Sequence, residues 1–148
     1  MRDLREAYGS APEPTLDDLV GTHEGQIIGP ALLRAVIPRA LSIGGMPGWC
    51  GKRFEMDPGA PEGPAVGVNL LRSRGQVRDS IPMTARVGAS RLDGRPALVI
   101  SYPPDGPFVW ARVIDELRPF GEGTLLGLTF EIPRVPLWVP FLLYRVSP

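Results

Sequence analysis

Leu19-Val20-Gly21-Thr22-His23-Glu24-Gly25-Gln26-Ile27-Ile28-Gly29-Pro30 runs directly into Ala31-Leu32-Leu33-Arg34-Ala35-Val36-Ile37-Pro38-Arg39-Ala40-Leu41-Ser42, and this stretch decides the fold. Its first half has a period of two, so residues 19–28 read as a β-strand. In its second half Leu32, Leu33, Val36, Ile37, Ala40 and Leu41 fall on one face of a helix over 31–42, with Arg34 and Arg39 off that face. Pro38 carries no amide proton and is expected to kink this helix or split it in two. Gly44-Gly45-Met46-Pro47-Gly48 then stops it.

Everything after the helix has strand character. Segments 49–56, 64–72, 82–90, 95–102, 108–118, 124–132 and 137–146 are apolar runs separated by turn signals such as Asp93-Gly94, Asp105-Gly106 and Gly121-Glu122-Gly123. With 19–28 they make eight strands joined by short links, the number at which an antiparallel sheet closes into an up-and-down barrel. Periodicity alone does not separate a barrel from a β-sandwich, and the helix placed directly after the first strand favours the barrel. The predicted class is all-β, an eight-stranded antiparallel barrel with a short helical lid. The 18 glycines and 18 prolines among 148 residues are about twice the usual share of roughly 12%. They lie mostly between apolar runs, so they read as turns and not as disorder. Residues 1–14 look like a leader, ending in Ser10-Ala11-Pro12-Glu13-Pro14. Thr15-Leu16-Asp17-Asp18 has the form of a capping box and opens a single domain over 15–148.

Composition removes several classes of function. Lys plus Arg and Asp plus Glu both total 16, so the basic excess of a nucleic-acid binder is missing. One cysteine and one histidine exclude a disulfide framework, a multi-cysteine zinc site and any metal site built on several imidazoles. No nucleotide-binding glycine motif, nucleophile elbow or metal-loop carboxylate spacing occurs, so no cofactor and no metal is expected. The charged start Met1-Arg2-Asp3-Leu4-Arg5-Glu6 is not a secretory signal, and no apolar run reaches the ~20 residues of a membrane span. A cytoplasmic location is the expectation.

Strand alternation supplies the candidate site residues. His23 falls on the more apolar face of the first strand between Gly21 and Gly25, where an imidazole facing a cavity can transfer protons. It can equally be a core histidine bonded to backbone. Lys52 is the only lysine beside 15 arginines and shares a face with Cys50, Phe54 and Met56. It can hold a ligand's carboxylate or carbonyl, or extend as a snorkelling side chain. Asn69 lies on a small-residue face, where it orients a ligand or satisfies a bulge or turn.

Segment 108–118 allows two readings. In the first, Trp110, Arg112 and Glu116 line a pocket, with Arg112 and Glu116 paired. In the second that face is outside, and Asp115 is a buried acid among small apolar residues that needs a partner such as Lys52 or His23. The first is favoured. Tyr102 and Tyr144, near the ends of the fifth and eighth strands, complete the ligand-contact candidates, while His23 and Asp115 are the catalytic ones. Those two strands are apolar on both faces, so something must cover them: the helix, the leader or a second subunit. A homodimer is expected, which a gel-filtration mass of one subunit would contradict.

Asp18-Leu19-Val20-Gly21-Thr22-His23-Glu24-Gly25 resembles the opening of calycin-type barrels, which include lipocalins, fatty-acid-binding proteins and nitrobindin-like proteins. In these families a helical turn runs into a Gly-Thr-Trp-x-Gly first strand, and the helix after strand one is similar in placement to the lid of the fatty-acid-binding group. The resemblance implies a barrel around a small molecule. His23 stands where the Trp would be, and a nitrobindin-like haem site would need a second histidine late in the chain, which is absent. The leading function is therefore binding of a small hydrophobic molecule, lipid-like or polyketide-like, with a carboxylate or carbonyl end. The alternatives are an enzyme on the same frame (a cyclase, isomerase or hydrolase using the lone His or a buried acid) and a protein-interaction module. A cavity of about 300 Å³ or more would favour the first two.

Overall fold

The strands expected from the two-residue period pair in sequence order. The computed structural model describes residues 1–107, 109–133, 135 and 138–146. β1 (Gly21–Ile27), β2 (Trp49–Glu55), β3 (Ala65–Ser73), β4 (Gln76–Ala89), β5 (Pro96–Ser101), β6 (Ile114–Pro119), β7 (Thr124–Phe130) and β8 (Val139–Arg145) form one closed antiparallel barrel. Closure comes from β1 against β8, with Gly25 opposite Leu143 and Ile27 opposite Phe141. The sandwich alternative ends there, because no strand edge remains free.

A barrel of eight strands has room inside for little more than its own side chains. Phe54, Met83, Leu98, Ile100, Leu117 and Leu143 are buried in its main core. Three glycines make space for rings from neighbouring strands: the Trp49 ring lies on Gly25, Phe54 on Gly67 and Phe141 on Gly127, each where a Cβ would collide with the ring.

Two β-bulges set which side chains point inward. Between β2 and β3 the pairing passes from Trp49–Leu71 to Gly51–Leu70, leaving Cys50 as the extra residue. Strict alternation puts Trp49 opposite Lys52, but the bulge returns both to the interior. Between β3 and β4 the pairing passes from Val68–Pro82 to Asn69–Ser80, and Ile81 is extra. β4 consequently continues back to Gln76, well before the expected start at 82.

The largest departure is segment 108–118. Only its second half is strand; 109–112 are turn and β6 starts at Ile114. Phe108 lies outside the described residues, as does Leu137 at the expected start of the last strand. The lid helix α2 (Ala31–Ile43) is also unlike its expectation, since it runs through Pro38 without a break. Pro38 is exposed, so water can serve the Arg34 carbonyl that lacks its usual donor. Of the six apolar residues assigned to one face, only Leu33, Ile37 and Leu41 turn towards the barrel, a single i, i+4, i+8 stripe. Leu32 and Val36 stay outside at 73% and 47% exposure, with Ile43 at 90%.

Residues read as a leader contribute to the packing. α1 (Arg2–Ser10) lays Tyr8, Leu4 and Ala7 over Leu126, Leu128 and Leu142 on the outer face of β7 and β8. The doubly apolar last strand thus finds its cover within the chain. Arg118 fixes this arrangement from β6. Its five N–H groups all have acceptors: Asp93 through both oxygens at 2.7 Å, and the Tyr8, Arg95 and Pro96 carbonyls at 3.0 Å. Its guanidinium also lies 4.3 Å from the centre of the Tyr8 ring.

Candidate functional site

Inside the barrel the described lining is mostly apolar, and its polar side chains other than His23 gather in one cluster. Strand pairing sets Lys52 beside Asn69 on one wall and Asp115 beside Thr129 on another. Tyr102, just past the end of β5, closes the gap between them. Lys52 Nζ donates to Asn69 Oδ1 and to the Tyr102 hydroxyl at 2.9 Å each, and lies 3.0 Å from Asp115 Oδ2. The Tyr102 hydroxyl donates onward to Asp115 Oδ2 at 3.1 Å, and Thr129 Oγ1 donates to Asp115 Oδ1 at 2.7 Å. Asn69 Oδ1 also accepts from Trp49 Nε1 at 3.1 Å, while its Nδ2 donates to the carbonyl of the bulge residue Ile81 at 3.1 Å. Asn69 therefore satisfies the bulge through Nδ2 and holds Lys52 and Trp49 through Oδ1.

Lys52 and Asp115 are each 3% exposed. Burial by itself would push the Lys52 pKa down, but the adjacent Asp115 carboxylate and the Tyr102 hydroxyl outweigh it and hold the amine above its usual value. Burial and the Asp115 charge push Tyr102 up to about 12, with Lys52 acting against them. The phenol is therefore a donor at neutral pH. Removing one member of such a buried pair typically costs about 3–5 kcal/mol, because the other charge is left without compensation.

Beside this cluster lies a cavity of about 40 Å³ bordered by Lys52, Tyr102, Asp115, Thr129, Trp49 and Phe141. That is room for about one water molecule. Above it, a cleft of about 410 Å³ runs between α2 and the 109–113 turn. Ile37, Leu41, Trp110 and Ile132 border both spaces. Trp110 Nε1 donates to the Gly44 carbonyl at 2.7 Å, tying the turn to the end of α2. Its ring centre is 5.8 Å from that of Tyr102. Ligand-sized space therefore lies at the barrel mouth under the lid, and the polar cluster borders the smaller cavity beneath it.

Of the sequence candidates, Lys52, Asn69, Tyr102, Trp110 and Asp115 come together here. The others do not. Arg112 is exposed and makes no pair with Glu116, because the chain through 112 is a turn. Glu116 faces the outside of the barrel beneath α1, accepting from Ser90 Oγ at 2.5 Å, the Arg91 amide at 2.8 Å and the Tyr8 hydroxyl at 3.3 Å. The reading in which that face lines the pocket is thus replaced by the other one, with Asp115 inside and Lys52 as its partner. Tyr144 also points outward, bonded to Gln26 Oε1 at 3.2 Å.

His23 is inside, paired in register with Lys52 on β2 and with Arg145 on β8. It borders neither space at the mouth, and its buried Nδ1 has no hydrogen-bond partner. Burial and then the nearby Arg145 charge lower its pKa.

Trp49 and Thr129 were not anticipated. Trp49 was hidden by the bulge at Cys50, and Thr129 becomes visible only when β7 is paired with β6. Among the described residues no group of three or more His, Cys, Asp or Glu side chains is placed to hold a metal. Among the described residues no helix is long and apolar enough to cross a membrane.

No family model matches the chain, and no curated protein matches it. A crystal structure of a protein from Thermomonospora curvata is similar over 99% of this chain and 87% of its own, with a TM-score of 0.65 and 23% sequence identity. The likeness is one of fold.

Proposed function

We propose that the protein binds a small hydrophobic molecule at the mouth of the barrel, with the apolar body under α2 and a polar end at the Tyr102–Lys52–Asp115 floor. The observation that carries this reading is the cleft itself. Its volume lies in the range of small-molecule sites, its walls are apolar, and it shares Ile37, Leu41, Trp110 and Ile132 with the small inner cavity that the polar groups border. The calycin-like opening of β1 and the placement of α2 support the same reading. Proton transfer through His23 has little support, since the ring borders neither space at the mouth. Native mass spectrometry of protein purified from cells tests the proposal. A single non-covalent adduct that disappears on denaturation is the expected result; a spectrum of bare chain under every gentle condition counts against it.

A further inference from the structure

Among the described residues, every hydrogen-bond donor on the side chains lining the inner cavity is already engaged. These donors belong to Trp49, Lys52, Tyr102, Trp110 and Thr129. Trp49 Nε1 is held by Asn69 Oδ1, and Trp110 Nε1 by the Gly44 carbonyl. Tyr102 and Thr129 each give their one hydroxyl proton to Asp115. Lys52 has three protons and three oxygen partners, Asn69, Tyr102 and Asp115. What remains is acceptor capacity. A carboxylate offers about four lone-pair sites, and Asp115 uses two on Oδ2 but only one, for Thr129, on Oδ1.

A carbonyl reaching this floor would find no free side-chain donor among the described residues. A carboxylate would find none either, and would lie beside the Asp115 charge in a site with little water to screen it. An ammonium group would meet Lys52. A neutral O–H group fits, because it donates to the open position on Asp115 Oδ1 without breaking any existing bond. The 40 Å³ cavity holds a group of about that size, with the carbon chain continuing into the apolar cleft.

We infer that the ligand is a hydrophobic alcohol whose hydroxyl donates to Asp115 Oδ1, and not a fatty acid or a carbonyl compound. This rests on the ligand-binding reading above. The two fail differently in a calorimetric titration of the wild-type protein with decanol, decanoic acid and methyl decanoate, which share a chain and differ at the polar end. Decanol is expected to bind at least tenfold more tightly than either of the others. Acid or ester binding as tightly as decanol overturns the alcohol assignment and leaves the binding reading standing; absence of binding by all three overturns both. Thr129→Val gives a second readout. Losing that hydroxyl frees a further position on Oδ1, so decanol affinity should hold or rise. A tenfold loss would show that Asp115 Oδ1 is not the acceptor.

Discussion

His23 is the only side chain here whose ordinary pKa lies between pH 5 and 8, and its burial makes that a statement about stability. Its folded-state pKa lies below the unfolded value, first because of desolvation and then because of Arg145. The stability it contributes is therefore complete above about pH 6.5 and is lost as pH falls through the unfolded and then the folded pKa, with a limiting slope of about 1.4 kcal/mol per pH unit. Urea denaturation of the wild type should show lower stability at pH 5.5 than at pH 7.5. His23→Leu should remove most of that difference. A difference that survives the substitution would place the pH-sensitive group elsewhere. Lys52 and Asp115 show what strand alternation conveys and where it stops. Each could be placed on an apolar face from its own strand, and Lys52 could be named as a partner for Asp115. That they meet at 3.0 Å depends on closure of the barrel, a long-range fact that no local pattern contains.

At the scale of elements, the strands with clean alternation were readable and the irregular ones were not. The bulges at Cys50 and Ile81 are single-residue insertions without a distinct composition, yet they decide that Trp49 faces Lys52 and that Asn69 has a backbone carbonyl to hold. The 109–113 turn was mistaken for strand because its residues, Val109-Trp110-Ala111-Arg112-Val113, are mostly apolar and continue into the real strand from Ile114. Val109, Trp110 and Val113 are apolar because they wall the cleft.

α1 was the reverse case. Its short charged sequence has little reason to be helical alone, and packing against Leu126 and Leu128 supplies the reason. Arg118 should hold that contact. Arg118→Ala removes one donor from the Tyr8 carbonyl, which keeps only the Ala11 amide at 3.3 Å, and both guanidinium bonds from Asp93. It is expected to destabilise the protein by on the order of 3 kcal/mol, reduced somewhat because Asp93 is still reached by solvent. Limited proteolysis should then cut within residues 1–14 before the barrel. An unchanged denaturation midpoint and an intact N-terminal segment would mean that α1 docks without Arg118.

For the molecule as a whole, the turn-rich composition and the helix after the first strand were enough to indicate a closed eight-stranded sheet, because closure is the simplest way to satisfy so many short strands. The same reading placed the ligand inside the barrel, whereas the interior is filled by aromatic rings seated on Gly25, Gly67 and Gly127. Volume moves instead to the mouth, between α2 and the 109–113 turn. The account stands or falls on that cleft. Titration with the neutral apolar dye Nile red, following its fluorescence, should saturate at one dye per chain in the wild type. Ile37→Trp, which fills the cleft from the lid side, should weaken binding at least tenfold while leaving the denaturation midpoint close to that of the wild type. Equal affinity in the two proteins would contradict the account, because the dye would then be bound somewhere other than beneath the lid.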